Sequence, residues 1–254
     1  ATGHSAPWLH EEIALRMADR LSLVRRQPTR VIDWWSPTSG SATLLKAQYP
    51  QARLLPCGCD DQPLPEAPGT GTAHRWWQRL IGQPARAEGP AAPPTAELLW
   101  ANMMLHWVDD LPALLPRWHA ALEVDGFLMF SCFGPDTLKE LRAVYADLGW
   151  GPPGSPWIDM HDLGDELVHA GFADPVMDME RLTLTWDNPA ALLAELRGLG
   201  CNTAPARQPG LRSRDWRRKL DAALTHQLTG ADRRLHPGFE IIYGHAFRPV
   251  TRAR

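Results

Sequence analysis

The sequence predicts an α/β protein in which a mainly parallel β-sheet is covered by helices. Two observations lead to this prediction. Helix-type and strand-type hydrophobic patterns alternate along the chain, as they do in βαβ units. The last two strand patterns, in turn, are expected to pair with each other. The 254 residues are 44% hydrophobic, which is ample for a packed core, and we expect one domain spanning residues 1–254.

The first 57 residues predict a helix followed by a strand, a second helix and a second strand. Apolar residues recur at spacings of three and four around 9–26, so that one helix face can pack against the sheet: Leu9, Ile13, Met17, Leu21 and Val24. We therefore interpret residues 1–28 as an N-terminal helical segment. The elements that follow are a strand at 29–33, a helix at 41–48 and a strand at 52–57.

Residues 56–95 are rich in proline, glycine and alanine. One helical pattern, AHRWWQRLI at 73–81, interrupts this composition. Because proline cannot donate to a β-ladder, a central strand has little room here. We expect irregular backbone over much of this segment.

The remainder of the chain predicts further alternating elements. A helix begins near 110 with Asp110 as its N-cap and Pro112 in the first turn, and Gly171 closes a later helix in a left-handed conformation. Two helices, at 188–200 and 214–228, fall within residues 187–236, which we expect to form an insertion or lid between the last two strands. The predicted order is strand 96–104, helix from 110, strand 125–133, helices 135–148 and 161–171, and strands 175–186 and 238–247.

Composition argues against several classes of partner. The formal net charge of −3 does not favour binding to nucleic acid, which selects clustered Lys and Arg. No apolar run approaches the roughly 20 residues that a membrane helix needs, and the first residues lack the apolar segment of a signal sequence. With four cysteines that form no disulfide framework, we expect reduced thiols and a cytoplasmic location.

Several long phrases of the sequence resemble one enzyme family. They are LLWANMMLHWVDDLPALL (98–115), LEVDGFLMFSCFGPDTLKELR (122–142), IDMHDLGDELVHAGFADPVMDMERLTLTW (158–186) and YGHAF (243–247). Together with PWLHEEIALRMADRL near the start, they resemble the biotin-pathway malonyl-acyl-carrier-protein O-methyltransferases over about four fifths of the chain.

The resemblance implies a class I methyltransferase fold that binds S-adenosylmethionine. This Rossmann-like fold has a seven-stranded, mostly parallel sheet with helices on both faces and an antiparallel strand pair at the C-terminus. The implied reaction moves a methyl group from S-adenosylmethionine to a malonyl carboxylate, and the implied partner is acyl carrier protein.

The resemblance also implies which residues hold the methyl donor at the carboxyl ends of the strands. Asp33 matches the acid of the first motif, and Gly40 is the one glycine available for the loop that follows it. The ribose-binding acid aligns with Gly58 unless a two-residue shift brings Asp60 into its place. Asn102 matches a residue that lines the methionine part. The adenine turn would fall at 85–88, where no aspartate is in register.

The loop after the first strand departs most from the family pattern. Trp34, Trp35, Ser36 and Pro37 stand where a backbone without Cβ atoms usually approaches the ligand. Two interpretations of the tryptophans remain open, since the indoles either converge on the cofactor cleft or pack in the core. The residues concerned are Trp34, Trp35, Trp76, Trp77, Trp100 and Trp107.

Methyl transfer to a carboxylate requires no catalytic base, because a carboxylate is already a nucleophile at neutral pH. Arg142 and Arg197 are the candidate cations for the malonyl group, unless they form surface salt bridges with nearby glutamates. Tyr243 and His245 are candidate hydrogen-bond donors, or else satisfied groups on a half-buried strand.

Two further alternatives concern metal binding and loss of activity. Cys57, Cys59, Asp60 and His74 lack the second cysteine pair of a structural zinc module, and the scattered histidines, among them His10 and His106, are expected to be packing residues. A methyltransferase fold without activity, acting as a binding or regulatory partner, is the alternative to the enzyme.

Overall fold

The computed structural model describes residues 6–21, 24–58, 95–200, 202 and 204–250. Within these ranges, helices and strands alternate as the sequence predicts. The elements are α1 (Trp8–Leu21), β1 (Arg30–Asp33), α2 (Ser36–Ser39), α3 (Ala42–Gln48), β2 (Arg53–Pro56), β3 (Ala96–Ala101), a 3-10 turn (Leu105–Trp107), α4 (Leu111–Ala121), β4 (Leu122–Phe133), α5 (Lys139–Asp147), α6 (Met160–His169), β5 (Ala173–Thr183), α7 (Pro189–Gly198), α8 (Arg214–Leu228) and β6 (Gly238–Phe247).

The strands form one mixed sheet in the order β2-β1-β3-β4-β6-β5. The first four are parallel, and β6 runs antiparallel to both β4 and β5. This confirms the predicted parallel sheet with its antiparallel C-terminal pair. The described residues supply six strands, where the resemblance implies seven, and the predicted irregular segment at 56–95 lies almost entirely outside them.

Several predicted boundaries are wrong, and local contacts explain one of them. Helix α5 begins at Lys139 rather than 135, because Leu138 takes a left-handed conformation with φ of 52°. Before it, the Thr137 hydroxyl donates to the Glu240 carbonyl and accepts from the Glu240 amide, so the chain turns along β6 before the helix starts. Strand β4 begins at Leu122, immediately after α4, and the short helix α2 was not predicted.

Two predicted caps are confirmed. The Asp110 side chain accepts a hydrogen bond from the Ala113 amide, with Pro112 in the first turn of α4. Gly171 has φ of +93° just beyond α6 and donates to the Val168 carbonyl. These two contacts fix where both helices meet the sheet.

Hydrophobic residues alternate between the two faces of the sheet and form two buried clusters. Helix α1 contributes one face to the first cluster, as its spacing predicts, and α8 contributes Leu220, Leu224 and Leu228 to it. Helices α4 and α6 pack on the opposite face. On β6 the side chains of Phe239, Ile241 and Tyr243 all join the first cluster, which confirms their predicted alternation.

The helical insertion between β5 and β6 consists of α7 and α8. No helix within the described ranges is both long enough and apolar enough to cross a membrane.

The close contact between Gly244 of β6 and the buried Phe130 ring allows the placement of this strand to be tested. A Cβ at Gly244 would lie 2.2 Å from Phe130 Cζ, whose ring is fully buried, whereas a Cβ at Gly164 would make an ordinary contact of 3.6 Å with Met177. We expect Gly244→Ala to lower the free energy of unfolding by about 1–3 kcal/mol. Gly164→Ala, inside a helix, should leave it unchanged or raise it by up to about 1 kcal/mol. Urea denaturation measures both, and equal effects would contradict the strand placement.

Candidate functional site

The sheet topology places a crevice between the carboxyl ends of β1 and β3. Strand β1 has β2 on one side and β3 on the other, so the chain reverses its direction of winding between these strands. In open α/β sheets, ligands bind at such a switch point. Asp33 ends β1 and Asn102 directly follows β3, so two of the four predicted cofactor residues lie at this edge.

The side chain of Asn102 is completely buried and joins three segments at the edge. Its amide nitrogen donates to the carbonyl oxygens of His10, at 2.8 Å, and Ser39, at 2.6 Å. Its oxygen accepts from the Ser131 hydroxyl at 2.7 Å. Both amide N–H groups are thereby used within the protein. Asn102 therefore fixes α1, the loop after β1 and strand β4 to one another.

The loop after β1 reaches α3 through a left-handed turn and the four-residue helix α2. Trp35 takes the left-handed conformation, with φ of 55° and ψ of 44°, which a glycine-rich loop would assign to glycine. Gly40 has φ of +66°, and a Cβ there would lie 2.9 Å from Glu11 Cγ. The close approach of α1 is therefore one reason for glycine at position 40.

The two adjacent tryptophans of this loop differ in burial. Trp34 is 1% exposed and packs in the second core cluster, where its ring makes an edge contact of 6.2 Å with Trp118. Of the two interpretations left open for the indoles, Trp34 follows the core one, on the same face of the sheet as Ile32. Trp35 is partly exposed and stacks on Trp107, with ring centroids 6.1 Å apart.

Trp100 lies in the first core cluster, and its indole N–H donates to the Ser41 hydroxyl at 2.8 Å. Trp76 and Trp77 lie outside the described residues. The described indoles of Trp34 and Trp100 are thus core residues, and Trp35 and Trp107 form a separate stack beside the crevice.

At this edge of the sheet, the side chain of Asp33 gives the strongest indication of a bound ligand. The Ser36 hydroxyl donates to its Oδ2 at 2.7 Å, whereas its buried Oδ1 has no hydrogen-bond partner among the described residues. Burial raises the pKa of Asp33 to about 6, although the nearby hydroxyls of Ser36 and Ser39 act against that rise. An unpartnered buried carboxylate oxygen is unfavourable, and a cationic group would satisfy it. Asp33 therefore fits the ammonium group of the amino-acid part of S-adenosylmethionine.

The rest of the predicted cofactor site cannot be placed. Asp60 and the adenine turn at 85–88 lie outside the described residues, which end at Gly58 beyond β2. Of the weighed zinc ligands, only Cys57 is described, and no group of three possible metal ligands occurs in the described part of the chain.

Arg142 lies at the same edge, on the chain that follows β4. Its guanidinium donates to the backbone carbonyls of Thr137, at 2.6 Å, and Pro135, and it lies 5.8 Å from the ring centre of Trp157. A salt bridge with Glu140 was the alternative, but no ion pair of Arg142 occurs within the described ranges. Arg142 therefore stabilises the turn before α5, and no ion pair within the described ranges offsets its charge.

The three other substrate candidates lie on α7 and β6. Arg197 is exposed on α7, and the Leu199 carbonyl just beyond this helix accepts a hydrogen bond from the Trp107 indole at 3.2 Å. Tyr243 is buried under Arg20, whose guanidinium lies 3.7 Å from the ring centre, and its hydroxyl donates to Glu180 at 3.2 Å. His245 pairs in register with Met129 in the middle of β4. Tyr243 pairs in register with Ser131 near the end of β4, but its ring is directed at Arg20 of α1 and Glu180 of β5. His245 lies two residues farther from the carboxyl edge.

Sequence reasoning missed His10 and His106, which it assigned to packing. Both histidines meet at the crevice, with ring centroids 6.1 Å apart. The His10 ring is fixed by a 2.7 Å hydrogen bond from Nδ1 to the Thr38 carbonyl. Their separation along the chain concealed this pairing. The one available signal was that LHW (105–107) closely follows the strand that leads to Asn102, the predicted cofactor residue.

Comparison with known proteins finds relatives along the whole chain. It is 40% identical to a malonyl-[acyl-carrier protein] O-methyltransferase of Laribacter hongkongensis, over 100% of this chain and 87% of the relative. It is 36% identical to the enzyme of the same name from Gallionella capsiferriformans, over 96% of this chain and 85% of the relative. No family model matches the chain.

Solved structures with similar folds have low sequence identity. A Bacillus halodurans protein assigned as a methyltransferase is 11% identical, with a TM-score of 0.52 over 92% of this chain and 99% of its own. The YcgJ protein of Bacillus subtilis gives the same TM-score at 10% identity, over 92% and 98%. The sequence prediction of a class I methyltransferase fold is confirmed.

The different burial of Trp34 and Trp35 predicts different costs of substitution. Trp34→Ala should lower the free energy of unfolding by about 3–5 kcal/mol, because it leaves a large core cavity. Trp35→Gly should change it by less than about 1 kcal/mol, because the lost stacking is offset by relief of the left-handed conformation. Thermal and urea denaturation measure both, and a larger cost for Trp35→Gly than for Trp34→Ala would contradict the assigned burial.

Proposed function

This chain belongs to the family of malonyl-[acyl-carrier protein] O-methyltransferases, and we propose that it has their activity. It would transfer a methyl group from S-adenosylmethionine to the free carboxylate of a malonyl group carried by acyl carrier protein. The observation that most supports the proposal is the unpartnered oxygen of Asp33 at the switch point. A buried carboxylate oxygen without a partner is unfavourable, and a bound ligand would supply the missing hydrogen bond.

S-adenosylmethionine, when bound, would supply a methyl group activated on a sulfonium. Asp33 would accept a hydrogen bond from the ammonium group of its amino-acid part, and the bond from Ser36 would hold the other carboxylate oxygen in place. Asp60, by resemblance, is the proposed contact to the ribose. Asn102 and Gly40 would act indirectly, since they hold the loop around Asp33.

The reaction makes few demands on the protein beyond orientation. A carboxylate is ionised at neutral pH, so the site needs to hold it in line with the methyl group and to exclude water. Phe133 and Trp157 provide apolar surface at the end of β4, with ring centroids 5.4 Å apart. Arg142 and Arg197 are the proposed cations for anionic groups of the substrate or of the acyl carrier protein.

Asp33→Asn gives the first test of this function. The wild-type chain should methylate malonyl-acyl carrier protein when supplied with radiolabelled S-adenosylmethionine, and it should bind S-adenosylhomocysteine in calorimetry. Asp33→Asn should weaken that binding by about tenfold or more, because it removes a charge-assisted hydrogen bond of about 1.5–3 kcal/mol. Asp165→Asn, an exposed carboxylate on α6, is the matched control and should match wild type.

Absence of both binding and methylation in the wild-type chain at millimolar S-adenosylmethionine would contradict the proposal. That result would favour a methyltransferase fold that acts as a binding or regulatory partner.

The raised pKa of Asp33 predicts a pH dependence. Only the ionised carboxylate attracts an ammonium group, so affinity should be complete above the pKa of about 6 and decline as pH falls through it. Between pH 7 and pH 5 the association constant for S-adenosylhomocysteine should fall by about tenfold. Calorimetry at several pH values measures this fall, and Asp33→Asn should abolish it. An equal fall in Asp33→Asn would assign the titration to another group.

A further inference from the structure

His106 occupies a fixed position between the ends of β3 and β4. It lies in the 3-10 turn that follows Asn102, and its ring centroid is 4.9 Å from that of Trp107 and 4.6 Å from that of Phe133, the last residue of β4. Aromatic rings on two sides therefore hold the imidazole at the carboxyl edge of the sheet. This is the edge at which the proposed methyl donor would bind.

The imidazole nitrogens at this position have no partners. Both nitrogens of His106 are buried, and neither has a hydrogen-bond partner among the described residues. The neighbouring His10 donates through Nδ1 to the Thr38 carbonyl, while its buried Nε2 is also unpartnered. Most buried polar atoms in folded proteins are hydrogen-bonded. Two adjacent rings with three unsatisfied nitrogens therefore indicate that a bound molecule completes the hydrogen bonds.

The charge state of His106 restricts what it can offer a ligand. Burial, with a smaller contribution from the adjacent His10, lowers the pKa of His106 to about 3. The pKa of His10 is also lowered by burial. Both rings are therefore neutral at physiological pH, and His106 presents one N–H donor and one lone pair.

We propose that His106 contacts the substrate, and that its ring N–H donates a hydrogen bond to the malonyl carboxylate and orients it for methylation. This proposal rests on the function proposed above. One carboxylate oxygen would accept from His106 while the other forms the bond to the methyl carbon with its own electron pair. The pair of the broken methyl–sulfur bond stays on sulfur, and no proton is transferred.

A neutral donor suits this reaction better than a cation. The carboxylate loses its negative charge as the ester forms, so a full positive charge beside it would stabilise the free substrate more than the transition state. A neutral N–H also orients the carboxylate, but it stabilises the free substrate relative to the transition state less than a cation does. His106 would therefore orient the malonyl carboxylate with little loss of its reactivity toward the methyl group.

The position of Arg142 is consistent with this division of roles. Ring contacts connect His106 to Phe133, Phe133 to Trp157, and Trp157 to the Arg142 guanidinium, which lies 5.8 Å from the Trp157 ring centre. His106 would hold the carboxylate that accepts the methyl group. The Arg142 guanidinium, which contacts a different member of this group, would face another anionic group of the carrier arm.

Kinetics with substituted histidines tests the role of His106. His106→Phe should lower kcat/KM for malonyl-acyl carrier protein by about ten- to hundredfold, because one hydrogen bond to a charged group is lost. His106→Gln, which keeps a neutral N–H donor, should recover most of that loss. Binding of S-adenosylhomocysteine should stay within twofold of wild type in both variants. His119→Phe, on α4 beside Phe172, is the matched control and should match wild type. A kcat/KM for His106→Phe within twofold of wild type would overturn the proposal.

A spectroscopic test requires neither turnover nor a substitution. In wild-type protein with 15N-labelled histidine, malonyl-pantetheine should shift the ring-nitrogen resonances of His106, and butyryl-pantetheine, which lacks the carboxylate, should not. If the chain methylates its substrate but these resonances do not respond, the proposal for His106 is wrong and the activity stands. If the resonances respond but no methylation occurs, the binding contact stands and the proposed activity fails.

Discussion

The buried amide of Asn102 is the interaction on which the candidate site depends. Three hydrogen bonds tie it to α1, to the loop after β1 and to Ser131 on β4. These segments are distant in sequence, and this side chain joins them at one edge of the sheet. Asp33 precedes the loop that this side chain holds, and His106 follows Asn102 by four residues. Removing the amide would break all three bonds, so α1, the loop and β4 would lose their common contact at the site.

The loop after β1 shows how a methyltransferase fold can accommodate a sequence with little glycine. Strand alternation sends Trp34 into the opposite core, and Trp35 adopts the left-handed conformation that glycine usually supplies. The stack of Trp35 on Trp107 connects this loop to the turn that carries His106. The proposed donor site and the proposed acceptor site therefore share one packed group of side chains.

Much of the fold could be predicted from the sequence, but only part of the site could. Hydrophobic spacing located α1 and the last strand, since each pattern reports burial on one face. The family resemblance implied that Asp33 and Asn102 share a site at the carboxyl ends of the strands, and the structure places both residues at one edge of the sheet. The pairing of His10 with His106 is a long-range contact that no local pattern encodes. The Tyr243 ring is directed at Arg20 and Glu180, a contact among α1, β5 and β6 that the local pattern of β6 could not predict.

A crystal structure of the chain with S-adenosylhomocysteine tests the central claim most directly. The account predicts that the ligand's amino group lies within hydrogen-bond distance of Asp33 Oδ1, while Asn102 keeps its bonds to His10 and Ser39. An amino group held by other residues, or an Asn102 amide released from those carbonyls to bind the ligand, would contradict it.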